Sequence, residues 1–196
     1  MSGRGACLLV VMFLMGADPA CAHAPIAGAG GMFGGLLHPF FVPAHLLALI
    51  GLGLLIGQQE RGRRALELNF VVALMAGLVA IALAAGPSRA NDVLIVSAVV
   101  SGLLAAWARP LPQQIGWPLA AVTGAAIGLD SPPEVIDLTT ATVMLIGTGC
   151  GASMLLVVIA EGTAVLRRDW QRIGVRVAGS WTAAAAILVL ALRLAK

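Results

Sequence analysis

Charged side chains are scarce in this 196-residue sequence, in which Asp, Glu, Lys and Arg together make up 11%. A soluble globular domain usually carries about 25%. Apolar residues instead account for 60% of the chain, and a folded unit of this size cannot bury so many of them away from water. We therefore exclude a soluble enzyme and expect a protein whose apolar surface is covered by a lipid bilayer.

Several other features are absent. The three cysteines, Cys7, Cys21 and Cys150, form no CxxC pair and offer no disulfide framework. No Walker A sequence is present, so we expect no ATP-driven step in this chain. The basic residues lie in short loops beside apolar runs, which is not the pattern of a nucleic-acid-binding patch. The sequence predicts no catalytic residue, no tightly bound cofactor and no nucleic-acid partner.

The first 22 residues have the features of a cleaved signal peptide. Arg4 gives a positive start, an apolar run of 11 residues follows at 7–17, and Ala-Cys-Ala at 20–22 forms a cleavage site. Cleavage there makes His23 the N-terminal residue. Its α-amino group, with a pKa near 8, and its imidazole could then chelate one metal ion.

Six apolar stretches follow in the predicted mature domain, residues 23–196. Because backbone polar groups in hydrocarbon must be satisfied internally, stretches of this kind are helices. We predict an all-α fold, a polytopic transmembrane helix bundle with six spans at 38–57, 65–86, 92–108, 115–129, 139–165 and 174–195. The fourth is short for a hydrocarbon core of about 30 Å.

Basic residues fall unevenly on the two sides of these spans. The loops after spans one, three and five, with the start of span six, hold Arg61, Arg63, Arg64, Arg109, Arg167, Arg168, Arg172 and Arg176. The other side holds Arg89, Arg193 and Lys196. The positive-inside rule then places both termini in the periplasm and the chain in a bacterial inner membrane. The sequence leaves open whether the protein forms a homo-oligomer.

The chain has three histidines, His23, His38 and His45, and all precede or open the first span. On a regular helix His38 and His45 would lie about 10 Å apart, too far to share one ion. Pro39 and Pro43 could bend the segment and shorten that gap. Imidazole and amine nitrogens suit Ni²⁺, Co²⁺, Cu²⁺ and Zn²⁺. Alternatively, His38 caps the helix and His45 makes an interhelical hydrogen bond, while a Gly-rich linker at 27–35 lets the N-terminus fold back.

Asp130 ends the fourth span on the same predicted face as His38. It is either a fourth metal ligand or a residue of the following loop. On the opposite face, Glu67 and Glu161 lie close in sequence to arginines of the loops. We expect these two carboxylates to pair with arginine rather than to contact an ion.

Residues 38–45 read His-Pro-Phe-Phe-Val-Pro-Ala-His, and Leu-Leu-Ala-Leu follows at 46–49. This segment resembles the motif His-Pro-x-x-Gly-x-Asp-His, followed by Leu-Leu-Ala-Met, of the HupE/UreJ family of small membrane proteins. Val42 and Ala44 stand where the motif has Gly and Asp. Asp130 matches the acid that ends a fourth-span motif, although the family's His is missing there. In layout the resemblance covers nearly the whole mature chain.

The resemblance implies transport of nickel or cobalt for metalloenzymes, with the motif's Asp-His pair as ion ligands. Our leading hypothesis is a secondary permease that passes Ni²⁺ or Co²⁺ into the cytoplasm, with His23, His38, His45 and Asp130 as candidate ligands. Because Ala44 cannot bind an ion, the alternative is a non-transporting accessory or metal-sensing membrane protein of a metalloenzyme maturation system. An intramembrane protease is disfavoured, because no His lies on a later span.

Overall fold

The structure is a computed structural model that describes residues 31–83, 89–133 and 137–195. The described residues form helices and no strand, which confirms the predicted all-α fold. The helices are α1 (Gly31–Phe41), α2 (Pro43–Gly57), α3 (Arg63–Leu83), α4 (Ala90–Trp107), α5 (Gln113–Leu129), α6 (Leu138–Ala164) and α7 (Asp169–Leu194). The expected signal peptide, its cleavage site and His23 lie outside the described residues.

Four helices, α3, α4, α6 and α7, are long and apolar enough to cross a membrane, and the bent pair of α1 and α2 makes a fifth if it is counted as one span. With its apolar composition and its helices, the protein is a membrane protein. α5 has 17 residues and rises about 26 Å, somewhat less than a hydrocarbon core of about 30 Å. Four to five candidate spans are therefore established by length and composition.

Polar contacts sort the helix termini into two ends of the bundle. The histidine end contains the starts of α2 and α4 and the ends of α5 and α7, joined by the pairs His45–Asp130, Asn91–Asp130 and Asp92–Arg193. The arginine end contains the ends of α2, α4 and α6 and the starts of α3, α5 and α7, joined by the pairs Gln58–Ala105, Arg63–Glu161, Asn69–Trp117 and Arg176–Ala106. Although α5 is short, it therefore runs from one end of the bundle to the other.

α2 is the central helix. Eleven of its 15 residues are buried, and it packs against α4, α6 and α7. It is apolar on all sides, as expected for a helix enclosed by others. Side chains on α2 are therefore shielded from both water and lipid, and a polar residue there must find a partner inside the protein.

The first predicted span, 38–57, is not one straight helix: it contains the end of α1, a break and the whole of α2. α1 and α2 meet at an angle of 70° at Val42. Pro43 is the first residue of α2, where its missing N–H costs no hydrogen bond. The Gly-rich segment also differs from expectation, since residues 31–35 belong to α1 rather than to a linker.

Glycines explain why the segment at 31–35 is a packed helix. A Cβ on Gly35 would overlap the Met144 carbonyl oxygen, and one on Gly147 or Gly151 would overlap the carbonyl oxygen of Met32 or Leu36. α1 therefore lies with its backbone against the backbone of α6, as small residues permit in membrane bundles. This contact fixes α1 and the His38 that it carries.

Candidate metal site at the histidine end

His38 and His45 are neighbours, because the break between α1 and α2 folds one helix towards the other. Their ring centroids are 5.2 Å apart, with ring planes inclined by 67°. An unbroken helix would hold them about 10 Å apart. The bend that Pro39 and Pro43 were expected to allow is present, with Pro43 at the break. Two imidazoles this close can face one ion with nitrogen–metal bonds of about 2.1 Å.

Asp130 contacts His45 although 85 positions separate them in sequence. Asp130 follows the last residue of α5, and its Oδ2 lies 3.1 Å from Nε2 of His45. The amide of Asn91, at the start of α4, donates to the same oxygen at 2.9 Å. His45 is completely buried and Asp130 is 8% exposed. The start of α2, the start of α4 and the end of α5 are thus joined by one buried polar group of three residues.

The hydrogen bond to Asp130 determines which nitrogen of His45 can bind an ion. An ionised carboxylate only accepts hydrogen bonds, so the proton of a neutral His45 ring lies on Nε2. The lone pair then lies on Nδ1, which is buried and has no hydrogen-bond partner among the described residues. Metal-binding histidines commonly donate their second N–H to a carboxylate in this way, which fixes the tautomer and the ring orientation.

A small cavity of about 20 Å³ adjoins His38. It is bounded by the end of α5 and the first half of α6, including Ser131 and Thr148. Each of these hydroxyls donates to a carbonyl four residues earlier in its own chain, so its oxygen can still accept a hydrogen bond or contact a cation. About 10–15 Å³ is enough for one water molecule, so the cavity can hold a water or an ion of similar size.

The predicted ligands are placed as follows. His38, His45 and Asp130 converge, whereas His23 lies outside the described residues. Across 31–83, 89–133 and 137–195, no three His, Cys, Asp or Glu side chains are arranged to hold a metal ion together. Oδ2 of Asp130 contacts both His45 and Asn91, so the carboxylate holds the imidazole in place, and its role as a metal ligand stays a prediction.

Two further residues bear on this group: Ala44, where the sequence departs from the family motif, and Asn91, which was not predicted from the sequence. Ala44 stands where the motif has Asp; it is buried and packs in the apolar core. Asn91 was not predicted, because a single Asn at the start of a span has no distinctive spacing. Its position at the same predicted face as Asp130 was the one available signal.

The opposite end of the bundle contains the expected pairing of arginine with carboxylate. Arg63 donates two hydrogen bonds to Glu161, from Nε at 3.2 Å and from Nη2 at 3.0 Å. Glu67 lies one helical turn after Arg63, with 3.9 Å between the charged groups. This confirms that Glu161 pairs with arginine and ties α6 to α3.

Comparison with known proteins gave one family. Neither the curated proteins nor the solved structures compared with this chain include a match. The sequence profile of the family described as "HupE / UreJ protein" matches residues 10–189, which is most of the chain. That range contains all six predicted spans except for the last residues of the sixth. The chain belongs to the HupE/UreJ family.

Proposed function

We propose that this protein is a secondary permease that passes Ni²⁺ or Co²⁺ across the inner membrane into the cytoplasm. The observation that carries the proposal is the convergence of His38, His45 and Asp130 at one end of the bundle, from three different helices. Family membership supports the same class of function. Imidazole nitrogens are suitable ligands for both ions.

The ion first meets His38 and His45. His38 offers a ring nitrogen beside the small cavity, and His45 offers Nδ1 while Asp130 holds its Nε2 proton. We propose His23 as a further ligand, through its imidazole and the α-amino group that signal cleavage would expose. A site with few protein ligands suits transport, because a transported ion must bind well enough to be captured and weakly enough to leave.

The proposed direction follows from the charge distribution. The histidine end is opposite the arginine end, and basic residues face the cytoplasm in membrane proteins. Six spans, with both termini periplasmic, would place the histidines where an external ion arrives. The alternating course of α2 to α7 between the two ends supports six crossings, with α1 as a short helix that does not cross by itself.

Uptake of radioactive nickel and cobalt tests the proposal. Cells that lack their own uptake systems would express the wild type, His38→Ala, His45→Ala or Asp130→Asn. We expect both histidine variants to lose most of the uptake, because each removes a nitrogen ligand. Asp130→Asn should reduce uptake by about 10- to 100-fold, as removal of outer-shell partners usually does.

Asp137→Asn is the matched control for Asp130→Asn. Asp137 caps α6 by accepting hydrogen bonds from the side chain and the amide of Thr140, which hold its pKa below the ordinary value. Asn is also a good N-cap, so this variant should fold and take up metal normally. Wild-type uptake in His38→Ala and His45→Ala, with all variants present in the membrane, would contradict the permease.

The alternative, a non-transporting accessory or metal-sensing protein, is favoured by one residue. Ala44 replaces the motif's Asp and is buried in apolar packing, so no carboxylate precedes His45. A permease moves the ion across the membrane, whereas an accessory or sensing protein binds the ion without moving it. If the purified protein binds nickel with wild-type histidines but proteoliposomes that contain it accumulate none, the accessory function is correct.

A further inference from the structure

An apolar groove of about 470 Å³ runs between α4 and α5 on the outside of the bundle. Apart from Asp92 and Ser97, its walls are apolar, with the residues Val93, Val96, Val100, Ile115, Pro118, Leu119 and Val122. Leu103 and Trp107 continue the α4 wall beyond the groove at spacings of three and four residues, which keeps them on the same helix face. Trp107 is 62% exposed. The groove therefore belongs to a longer apolar stripe that reaches the arginine end.

The two ends of this stripe differ in charge. At the histidine end Asp92 accepts a hydrogen bond from Arg193 at 3.1 Å. At the arginine end the guanidinium of Arg109 lies over the Trp107 ring, 5.4 Å from its centroid. Within the described parts of the chain, no carboxylate forms an ion pair with Arg109. An anionic group at the arginine end of the stripe is thus attracted by Arg109, whereas the charge of Asp92 at the other end is already paired with Arg193.

We propose that the groove binds one acyl chain of an anionic phospholipid whose phosphate contacts Arg109. The helix rise from Trp107 to Val96 is about 16 Å. One leaflet is about 15 Å deep, half of a hydrocarbon core of about 30 Å. A lipid with its headgroup beside Arg109 therefore reaches the groove within its own leaflet. Trp107 lies between headgroup and chain, where amphipathic aromatic rings are enriched.

A lipid fits this surface better than a second copy of the chain does. Copies inserted in the same orientation would bring two arginine ends together, and each holds the eight arginines named above. Arg109 would then meet further positive charge instead of a counterion. A phospholipid supplies the phosphate and the apolar chain together, with the polarity that the stripe requires.

Native mass spectrometry of the full chain in mild detergent tests the charged contact. The protein is titrated with phosphatidylglycerol and with phosphatidylethanolamine that have identical acyl chains. We expect tighter binding of phosphatidylglycerol, and Arg109→Gln should weaken that binding about fivefold. Arg167→Gln removes an exposed arginine of the same end from the α6–α7 loop and should leave the affinity unchanged. Equal losses in both variants would overturn a specific contact.

Filling the groove tests the acyl chain. Val100→Trp should weaken binding of both lipids, because the indole occupies the space of the chain. Val158→Trp, at an exposed apolar position of α6, should weaken neither. Unchanged binding in Val100→Trp would overturn the groove as the site. In membranes, a disulfide between two copies of a Val100→Cys protein whose three native cysteines are replaced by serine would identify a second copy as the occupant and would also overturn the proposal.

Discussion

At the scale of single residues, the central feature is a polar group buried in an apolar bundle. His45 is fully buried on the helix that all others surround; Asp130 contacts its Nε2, and Asn91 donates a hydrogen bond to Asp130 from another helix. Buried polar side chains in a membrane protein require such partners and mark functional positions. The three residues therefore both stabilise the bundle and orient the imidazole that we propose as an ion ligand.

Two substitutions of Asp130 separate its structural contribution from its charge. Asp130→Ala leaves the buried Nε2–H of His45 without an acceptor, so we expect a loss of about 1–3 kcal/mol in the free energy of unfolding. Asp130→Asn keeps an acceptor oxygen and should lose much less. Thermal denaturation of the purified proteins in detergent measures the difference. If the two variants were equally stable, the hydrogen bond to His45 would contribute nothing measurable to the free energy of unfolding.

Part of this group could be predicted from the sequence. His38, His45 and Asp130 were identified because polar residues at the ends of apolar spans are few. Whether Asp130 was a ligand or a loop residue could not be decided from sequence, since the contact joins residues 85 positions apart. In the structure the Asp130 carboxylate accepts a hydrogen bond from Nε2–H of His45.

At the scale of helices, close backbone contact positions the site. α1 lies against α6 through Gly35, Gly147 and Gly151, and α3 lies against α5 through Gly77, Gly124 and Gly128. In both pairs a side chain on either helix would overlap backbone atoms of the other. The spacings of four residues between glycines, which in a Gly-rich chain arise readily by chance, here coincide with real interfaces.

One change made at two places on α6 tests the contact with α1. Gly151→Ala would overlap the Leu36 carbonyl, so α1 must shift, and we expect a loss of about 1–3 kcal/mol in the free energy of unfolding. Gly162→Ala meets no atom within 4 Å and should be neutral or stabilising by up to about 1 kcal/mol. Thermal denaturation compares the two proteins. Equal melting temperatures would mean that α1 does not depend on its backbone contact with α6.

At the scale of the whole molecule, the number of membrane crossings depends on whether α5 spans the bilayer. α5 is too short to qualify as a span by length, yet its two termini lie at opposite ends of the bundle. A helix that is shorter than the bilayer is thick can still cross it, because the bilayer thins locally or because side chains at the helix ends extend to the interface. Trp117, in the second turn of α5, is 45% exposed, and amphipathic aromatic rings of this kind are enriched at membrane interfaces.

Cysteine labelling tests whether α5 crosses. In a background in which Cys7, Cys21 and Cys150 are all replaced by serine, Pro110→Cys and Pro132→Cys place one exposed cysteine on each side of α5. We expect a membrane-impermeant maleimide to label Pro132→Cys in spheroplasts and Pro110→Cys only after lysis, because the proposed orientation places the arginine end in the cytoplasm. Labelling of both in intact spheroplasts would show that α5 does not cross and would reduce the number of spans.

The sequence by itself determined the class of the molecule and the bounds of most helices. Apolar runs interrupted by proline and charge predicted 65–86, 92–108, 115–129 and 139–165, and the helices lie within a few residues of these bounds. The start of α7 lies five residues before the predicted start at 174. Such features are local, because a helix in an apolar environment satisfies its own backbone hydrogen bonds.

Only the tertiary structure decided how the residues of the candidate site meet. The 70° break at Val42 brings His38 next to His45, and the end of α5 brings Asp130 to Nε2 of His45. Neither contact follows from spacing, because one depends on a bend and the other on which helices pack together. Which helices pack together depends in turn on where glycines let two backbones approach. That pairing involves residues far apart in sequence, so it cannot be derived from any one segment.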